Sequence, residues 1–293
     1  MLNQHKNKTL NLKNFSTISK FLKKFNLRSF TDKKKVHEYM SFFQLDKYLK
    51  KLPQDNSKIK NLKYLIQVKK ENRPLPPELE DLTRLHWLVL ARRAINTLEF
   101  GSGFSTIFIA DAKSILYKYF GDISEIRSDK LFHIYTVGED KKFLNITKKR
   151  LPKTLKKHVS FFYSKVSAFK YSDKIAMRHE NVPNISPDLI YLDGPSLYSV
   201  KSKFMGFSFN NVSRVPMSAD ILLIEFFLQS GTFIVVDGRG ANAEFLRHYL
   251  KRNWKYYYDK KGDCHYFELI EKPWGEWNIK RKNFCLKEDF NFF

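Results

Sequence analysis

From residue 95 onward, short apolar runs alternate with longer stretches whose apolar positions recur every three or four residues. The first pattern is that of strands buried on both faces, and the second is that of helices with one apolar side. Read in order, the chain predicts strands over Ile95–Phe100, His133–Val137, His158–Tyr163, Asp188–Leu192 and Thr232–Val236. Helices are predicted over Phe104–Tyr119, Lys141–Arg150, Met217–Leu228 and Ala241–Arg252. Such alternation implies a parallel sheet covered on both faces, with ligands at the carboxyl ends of its strands. Two late strands, Trp254–Tyr258 and Cys264–Ile270, are joined only by Asp259-Lys-Lys-Gly-Asp263 and must pair antiparallel.

Upstream of this region, Ile18, Phe21, Leu22 and Phe25, then Tyr39, Phe42, Phe43, Leu45 and Leu49, fall at roughly helical spacing and predict a few short helices. Pro53 and Asp55 interrupt the pattern. Arg73-Pro-Leu-Pro-Pro77 reads as a linker and as the start signal of a helix through Glu78 to Arg93, with Leu82, Leu85, Trp87, Leu88 and Leu90 in the core. The expected organisation is a basic helical extension over 1–75, an α/β catalytic domain over 76–271 and a tail over 272–293. In the tail, Trp274, Trp277 and Phe284 suit packing on the sheet or an oligomer contact.

Charge complicates the picture of a plain enzyme. The chain carries a formal net charge of +23, and residues 1–75 hold 19 Lys and Arg against 5 Asp and Glu. Such asymmetry suits nucleic acid or an anionic surface, whereas the Lys- and Asn-rich composition allows the plainer reading of solvated helix faces. Two cysteines, Cys264 and Cys285, exclude a disulfide framework and a Cys-x-x-Cys metal site, which fits a cytoplasmic location. No apolar run reaches the length of a bilayer span.

The candidate ligand pocket is the segment Ile95-Asn-Thr-Leu-Glu99-Phe-Gly101-Ser-Gly103-Phe-Ser-Thr106. Here a strand ends in an acid and a glycine turn that opens a helix, so backbone can approach a ligand closely. A dinucleotide site asks for a third glycine where this chain has Thr106, and Glu99 sits badly beside a pyrophosphate. The better ligand is a nucleoside carrying positive charge. Glu99-Phe-Gly-Ser-Gly103 resembles the first motif of the class I S-adenosylmethionine-dependent methyltransferases. The resemblance implies a Rossmann-like, doubly wound, mostly parallel seven-stranded sheet with an antiparallel last strand. It also implies that Glu99, Gly101, Ser102, Gly103, Ser105 and Thr106 border S-adenosylmethionine. In that family an acid after the second strand holds the ribose, which here is Glu139 with Asp140 in reserve, because Gly138 occupies the usual position. Both acids would also suit the start of the helix that follows. After the third strand, Tyr163, Ser164 and Ser167 are candidates for the adenine, none standing out.

The fourth and fifth strands deliver Asp193-Gly-Pro and Asp237-Gly-Arg239 to neighbouring edges at the switch point, near the methyl group. Paired carboxylates there resemble the metal-binding acids of small-molecule and sugar O-methyltransferases, which implies Mg2+ on Asp193 and Asp237. The family's further acid or amide after the fifth strand is replaced by Gly238. Without metal, Asp193 or Asp237 would serve as general base and Arg239 would hold an anionic acceptor. Lys201, Lys203, Asn210, Asn211 and Arg214 lie in a long insertion that suits a lid over a polyhydroxylated or anionic acceptor. His179 is an alternative base, and His265 reads as packing. The expected activity is O-methylation of a sugar or glycan precursor. The alternatives are an RNA methyltransferase using the basic N-terminal region and a non-catalytic docking protein of the same fold.

Overall fold

The computed structural model describes residues 15–49, 66–67, 76–196, 200–209, 217–287, 290 and 292. Its centre is a seven-stranded sheet of β1 (Asn96–Phe100), β2 (His133–Gly138), β3 (Val159–Tyr163), β6 (Leu189–Leu192), β9 (Phe233–Asp237), β10 (Trp254–Asp259) and β11 (Cys264–Leu269). The spatial order is β10-β11-β9-β6-β1-β2-β3. Numbered along the chain, the seven strands therefore run 3-2-1-4-5-7-6, parallel except for β11, which is antiparallel to both neighbours. This is the mostly parallel sheet with a reversed last strand that the sequence implies.

Alternate residues of the central strands feed two cores. Leu189 and Tyr191 of β6 and Phe233 and Val235 of β9 face one side, whereas Ile190, Leu192, Ile234 and Val236 face the other. Strands buried on both faces need apolar residues at every position, which is why they read as continuous runs. The first face is covered by α3 (Leu79–Ala91), α4 (Phe104–Phe120) and the N-terminal helices α1 (Phe15–Leu22) and α2 (Lys33–Phe43). α6 (Asp220–Ile224) and α7 (Gly240–Tyr249) cover the second, and α5 (Lys141–Arg150) follows β2.

The N-terminal helices are part of the core. Ile18, Leu22, Leu27, Phe30, Tyr39 and Leu45 are inaccessible to solvent, and Trp87 Nε1 donates to the Leu22 carbonyl at 3.1 Å. Tyr39 Oη meets His86 Nδ1 at 2.8 Å, and His86 Nε2 meets Asp111 Oδ2 at 3.1 Å. The helical spacing of apolar residues in 15–49 is thus a packing face, with the lysines left outside.

Three elements differ from the expected pattern. The helix expected from Met217 starts at Asp220, because Met177 donates its amide to the Met217 carbonyl and accepts from the Ala219 amide, holding 217–219 extended. A hairpin of β4 (Val166–Tyr171) and β5 (Lys174–His179) follows β3. The segment after Glu271 forms α8 (Gly275–Cys285), anchored by Arg281 on Asp188 at 2.5 Å. Asp188 also accepts from the amides of Ile95 and Asn96, so one buried carboxylate ties α8 to the starts of β1 and β6. Among the described residues, no helix is long and apolar enough to cross a membrane.

Candidate functional site

At the tip of β1, Glu99 is fully buried. Its Oε1 accepts from Ser105 Oγ at 2.6 Å, and its Oε2 accepts from Thr106 Oγ1 and Thr136 Oγ1, both at 2.7 Å. Thr106 Oγ1 in turn accepts from the Gly103 amide at 3.2 Å. Glu99, Ser105 and Thr106, expected at the cofactor, therefore form a buried brace beneath the glycine turn. Burial pushes the Glu99 carboxyl up to about 7 against the pull of the three hydroxyls.

The turn itself is shaped by close backbone approach. Gly101 has φ +117°, and a side-chain carbon on Gly194 would fall 2.7 Å from the Gly101 amide nitrogen. The loops after β1 and β6 thus touch main chain to main chain. A side-chain carbon on Gly103 would meet nothing within 4 Å, so the turn is open on that side, with Ser102 beside it partly exposed. An open glycine backbone at the start of α4 is a cradle that suits an adenosyl ligand.

After β2 the two acids separate. Asp140 accepts from the amides of Lys142 at 2.7 Å and Phe143 at 3.4 Å, which makes it the cap of α5. Glu139 turns instead toward the loop after β6, where its Oε1 accepts from the Ser196 amide at 2.8 Å. A side-chain carbon on Gly138 would lie 2.8 Å from Leu144 Cδ2, so a larger residue there would crowd Leu144. After β3, Ser164 is buried, accepting from the Asn181 amide at 2.8 Å and donating to the Lys165 carbonyl at 3.3 Å. Tyr163 is 42 % exposed, with the Lys141 ammonium 4.6 Å from its ring centroid.

The tips of β6 and β9 carry the charged cluster. Arg239 is buried, and its Nη2 donates to the carbonyls of Asp193 at 2.8 Å and Pro195 at 2.7 Å. Its Nε stands 3.9 Å from Asp193 Oδ1. Arg239 thus staples the loop after β6 through Nη2, while its Nη1 and Nε have no hydrogen-bond partner among the described residues. Asp237 lies deeper, with a side chain 15 % exposed. Its Oδ2 accepts from Tyr191 Oη at 2.7 Å, and its Oδ1 faces Arg84 Nη2 at 3.7 Å. Arg84 also pairs with Asp81 one helical turn earlier on α3. Asp193 is the outward member, its side chain 53 % accessible at the mouth of this cluster.

The three carboxylates outnumber the two guanidinium groups, and each holds its proton above the usual carboxylate range. Partial withdrawal from water is the main cause in all three. Arg239 opposes the rise at Asp193 while Asp237 adds to it, and Asp237 likewise raises Asp81. For Asp193, which keeps half its surface in solvent, the repulsion from its neighbours is the firmer part of that rise. Asp81, Arg84 and Tyr191 join the cluster without a motif in the sequence that marks them. A charged pair spaced i, i+3 on an otherwise apolar helix is the signal that points to the first two.

These residues do not fit a resident Mg2+. Asp237 is committed to Tyr191 and Arg84, Asp193 stands beside Arg239, and among the described residues no group of three potential ligands could hold a metal ion. His179 is buried, its amide and Nδ1 both bound to Asp220 at 2.8 Å, and His265 meets Tyr256 Oη at 2.9 Å. Lys201 and Lys203 are exposed at the short hairpin of β7 (Lys203–Phe204) and β8 (Phe207–Ser208). Asn210, Asn211 and Arg214 lie outside the described residues.

No family model and no curated protein matches the sequence. Solved structures resemble the fold at low identity. The O-methyltransferase TomG of Streptomyces achromogenes, solved with SAM, is 15% identical with a TM-score of 0.38, over 80% of this chain and 99% of that one. An O-methyltransferase of Bacillus cereus, solved with SAH, is 15% identical with a TM-score of 0.40, over 80% of this chain and 100% of that one. The SAH-bound methyltransferase PaMTH1 of Podospora anserina is 10% identical with a TM-score of 0.38, over 89% of this chain and 97% of that one. Independently of these likenesses, the strand order 3-2-1-4-5-7-6 with its reversed last strand makes this a Rossmann-like, doubly wound α/β sheet.

Proposed function

We propose that the protein is an S-adenosylmethionine-dependent methyltransferase acting on an acceptor hydroxyl, with a sugar or glycan precursor as the favoured acceptor. The observation that carries this reading is the convergence, at the carboxyl edge of a methyltransferase-type sheet, of the open Gly101–Gly103 turn, the carboxylate of Glu139 and the outward carboxylate of Asp193. Gly101, Ser102 and Gly103 would hold the adenosyl ligand by main chain, and Glu139 would accept its ribose hydroxyls in exchange for the Ser196 amide.

S-adenosylmethionine, when bound, supplies an electrophilic methyl group whose transfer neutralises a sulfonium. The chain's task is then to orient the acceptor and remove its proton. Asp193 is the exposed carboxylate of the cluster, and its raised proton affinity suits it to take the hydroxyl proton as the oxygen attacks. Arg239 fixes the Asp193 loop through two carbonyls, so it acts as a positioning residue. The negative charge of Asp237 adds to the proton affinity of Asp193, and Tyr191 and Arg84 hold Asp237 beneath it.

The test is calorimetric titration of the protein with S-adenosylmethionine and S-adenosylhomocysteine, with NAD as the comparison and Glu139→Ala as the variant. Micromolar binding of both adenosyl ligands, weakened in the variant and absent for NAD, is expected. Lack of binding by the wild type would overturn the reading.

A further inference from the structure

On the first face of the sheet, away from the glycine turn, a cavity of about 470 Å3 opens between α4, the turn Leu45–Tyr48 and the turn Lys153–His158. Ser114 marks its position on α4. At about 1.5 Å of rise per residue, Ser114 is roughly 15 Å along the helix axis from Phe104 beside the glycine turn. The cavity is therefore separate from the candidate active site.

Its chemistry is one-sided. Lys47, Lys118 and Lys157 line it, and the one carboxylate among its lining residues, Asp111, is already committed. Asp111 bonds Tyr48 Oη and His86 Nε2 and stands 3.5 Å from Lys47. Lys118 and Lys157 are exposed and have no acidic partner among the described residues, and the Lys157 ammonium rests 4.6 Å from the centroid of the Tyr117 ring. Two cations lining one cavity without counter-charge favour a ligand that carries negative charge.

A second feature points to more than a bare anion. His158, 2 % exposed, also lines the cavity, and its Nδ1 lies 3.1 Å from the Phe132 carbonyl. A ring nitrogen facing a carbonyl must carry the hydrogen, which leaves Nε2 as an acceptor, and that atom has no partner. A buried acceptor without a donor is costly unless something supplies one. A phosphate ester of a sugar or nucleoside offers a dianionic group for the lysines and, at a distance from it, a hydroxyl for the imidazole.

We propose that this cavity binds the phosphate group of a small phosphorylated, hydroxyl-bearing molecule, at a site distinct from the methyl-transfer site. The proposal does not depend on the adenosyl cofactor, since no residue is shared with the Gly101–Gly103 turn.

The full chain is titrated by calorimetry at low salt with ribose 5-phosphate, AMP and inorganic phosphate, alongside the exposed-residue variant Lys118→Gln/Lys157→Gln and the distant control Lys251→Gln/Lys272→Gln. Saturable binding of the two esters, stronger than that of inorganic phosphate, weakened at least about tenfold in the first variant and unchanged in the control, is expected. A preference between the two esters separates a sugar phosphate from a nucleotide as the source. Absence of saturable ester binding, equal affinity for inorganic phosphate, or equal loss in the control would overturn the proposal. Circular dichroism on both variants checks that the fold is intact, and a Lys→Arg version of the first pair, which keeps the charge, is expected to restore binding.

Discussion

A side-chain carbon on Gly138 would fall 2.8 Å from Leu144 Cδ2, so any larger residue at the end of β2, an acid included, would crowd that side chain. Leu144 is 2 % exposed, so it has little room to yield. Gly138→Ala is expected to destabilise the protein by about 1–3 kcal/mol through overpacking. In Gly138→Ala/Leu144→Ala the loss should be smaller than the sum of the single losses, because the truncated Leu144 makes room. Denaturant unfolding of the four proteins measures the coupling, and strict additivity would refute the contact's role.

Glu139 and Asp140 are neighbours with separate tasks. Asp140→Ala removes a helix cap and should cost about 1 kcal/mol of stability while leaving adenosyl binding alone. Glu139→Ala should change stability by less than about 0.5 kcal/mol and weaken adenosyl binding. Thermal denaturation and calorimetry on the same two variants decide the matter, and a swapped outcome would make Asp140 the ribose acid.

Much of this arrangement was legible in the sequence, for identifiable reasons. The helix Lys141–Arg150 has its expected bounds, and the central strands lie within a residue or so of theirs, since burial on both faces imposes unbroken apolar runs. The hairpin of β4 and β5 escaped because Val166–Tyr171 is only partly buried and carries Ser and Lys among its apolar positions. α8 escaped because a polar pair, Arg281 and Asp188, holds it and its apolar stripe is weak. Of the site, the residues at strand tips were legible because the fold fixes where those tips converge. That Glu99 is a brace and Arg239 a staple was not legible, as each role depends on hydroxyls and carbonyls supplied by loops. Asp81 and Arg84 reach the cluster only through the packing of α3.

Glu99 makes stability depend on pH in a predictable direction. Its carboxyl sits near 7 in the folded chain against an ordinary value of 4.5, so the folded state holds the proton more tightly than the unfolded state. Its contribution is fully present below about 4.5 and is lost as pH rises to about 7. The shift corresponds to a change on the order of 3 kcal/mol. Glu99→Gln, neutral throughout, should therefore gain stability relative to wild type across that window. Denaturant midpoints at pH 4.5, 6 and 7.5 provide the measurement, and a constant difference between the two proteins would rule out the buried titration.

Arg281 and Asp188 are the buried pair that joins α8 to the sheet, with side chains 7 % and 11 % exposed. Arg281→Ala leaves Asp188 charged and short of its main partner, so a loss of about 3–5 kcal/mol is expected. Arg281→Lys keeps the charge but cannot reproduce the bonds from Nε and Nη2, and should recover only part of that loss. Full recovery by lysine would show that charge alone holds the helix.

The assignment of Asp193 as base makes a kinetic prediction beyond loss of activity. Asp193→Asn should lower transfer by at least about 100-fold while S-adenosylhomocysteine still binds, as expected for a group that moves a proton and does not hold the cofactor. The rate with wild type should rise with pH through a limb lying above the usual carboxylate range, because burial and the charge of Asp237 raise the proton affinity of Asp193. Asp237→Asn removes that negative neighbour, so the carboxyl of Asp193 ionises more easily and the limb should move to lower pH, with moderate loss of rate from the broken Tyr191 contact. The limb belongs to the cluster as a unit, so it is the displacement between the two proteins that is read. An unmoved limb with Asp193→Asn inactive would leave Asp193 essential but not the base, and full turnover by Asp193→Asn would remove it from the mechanism.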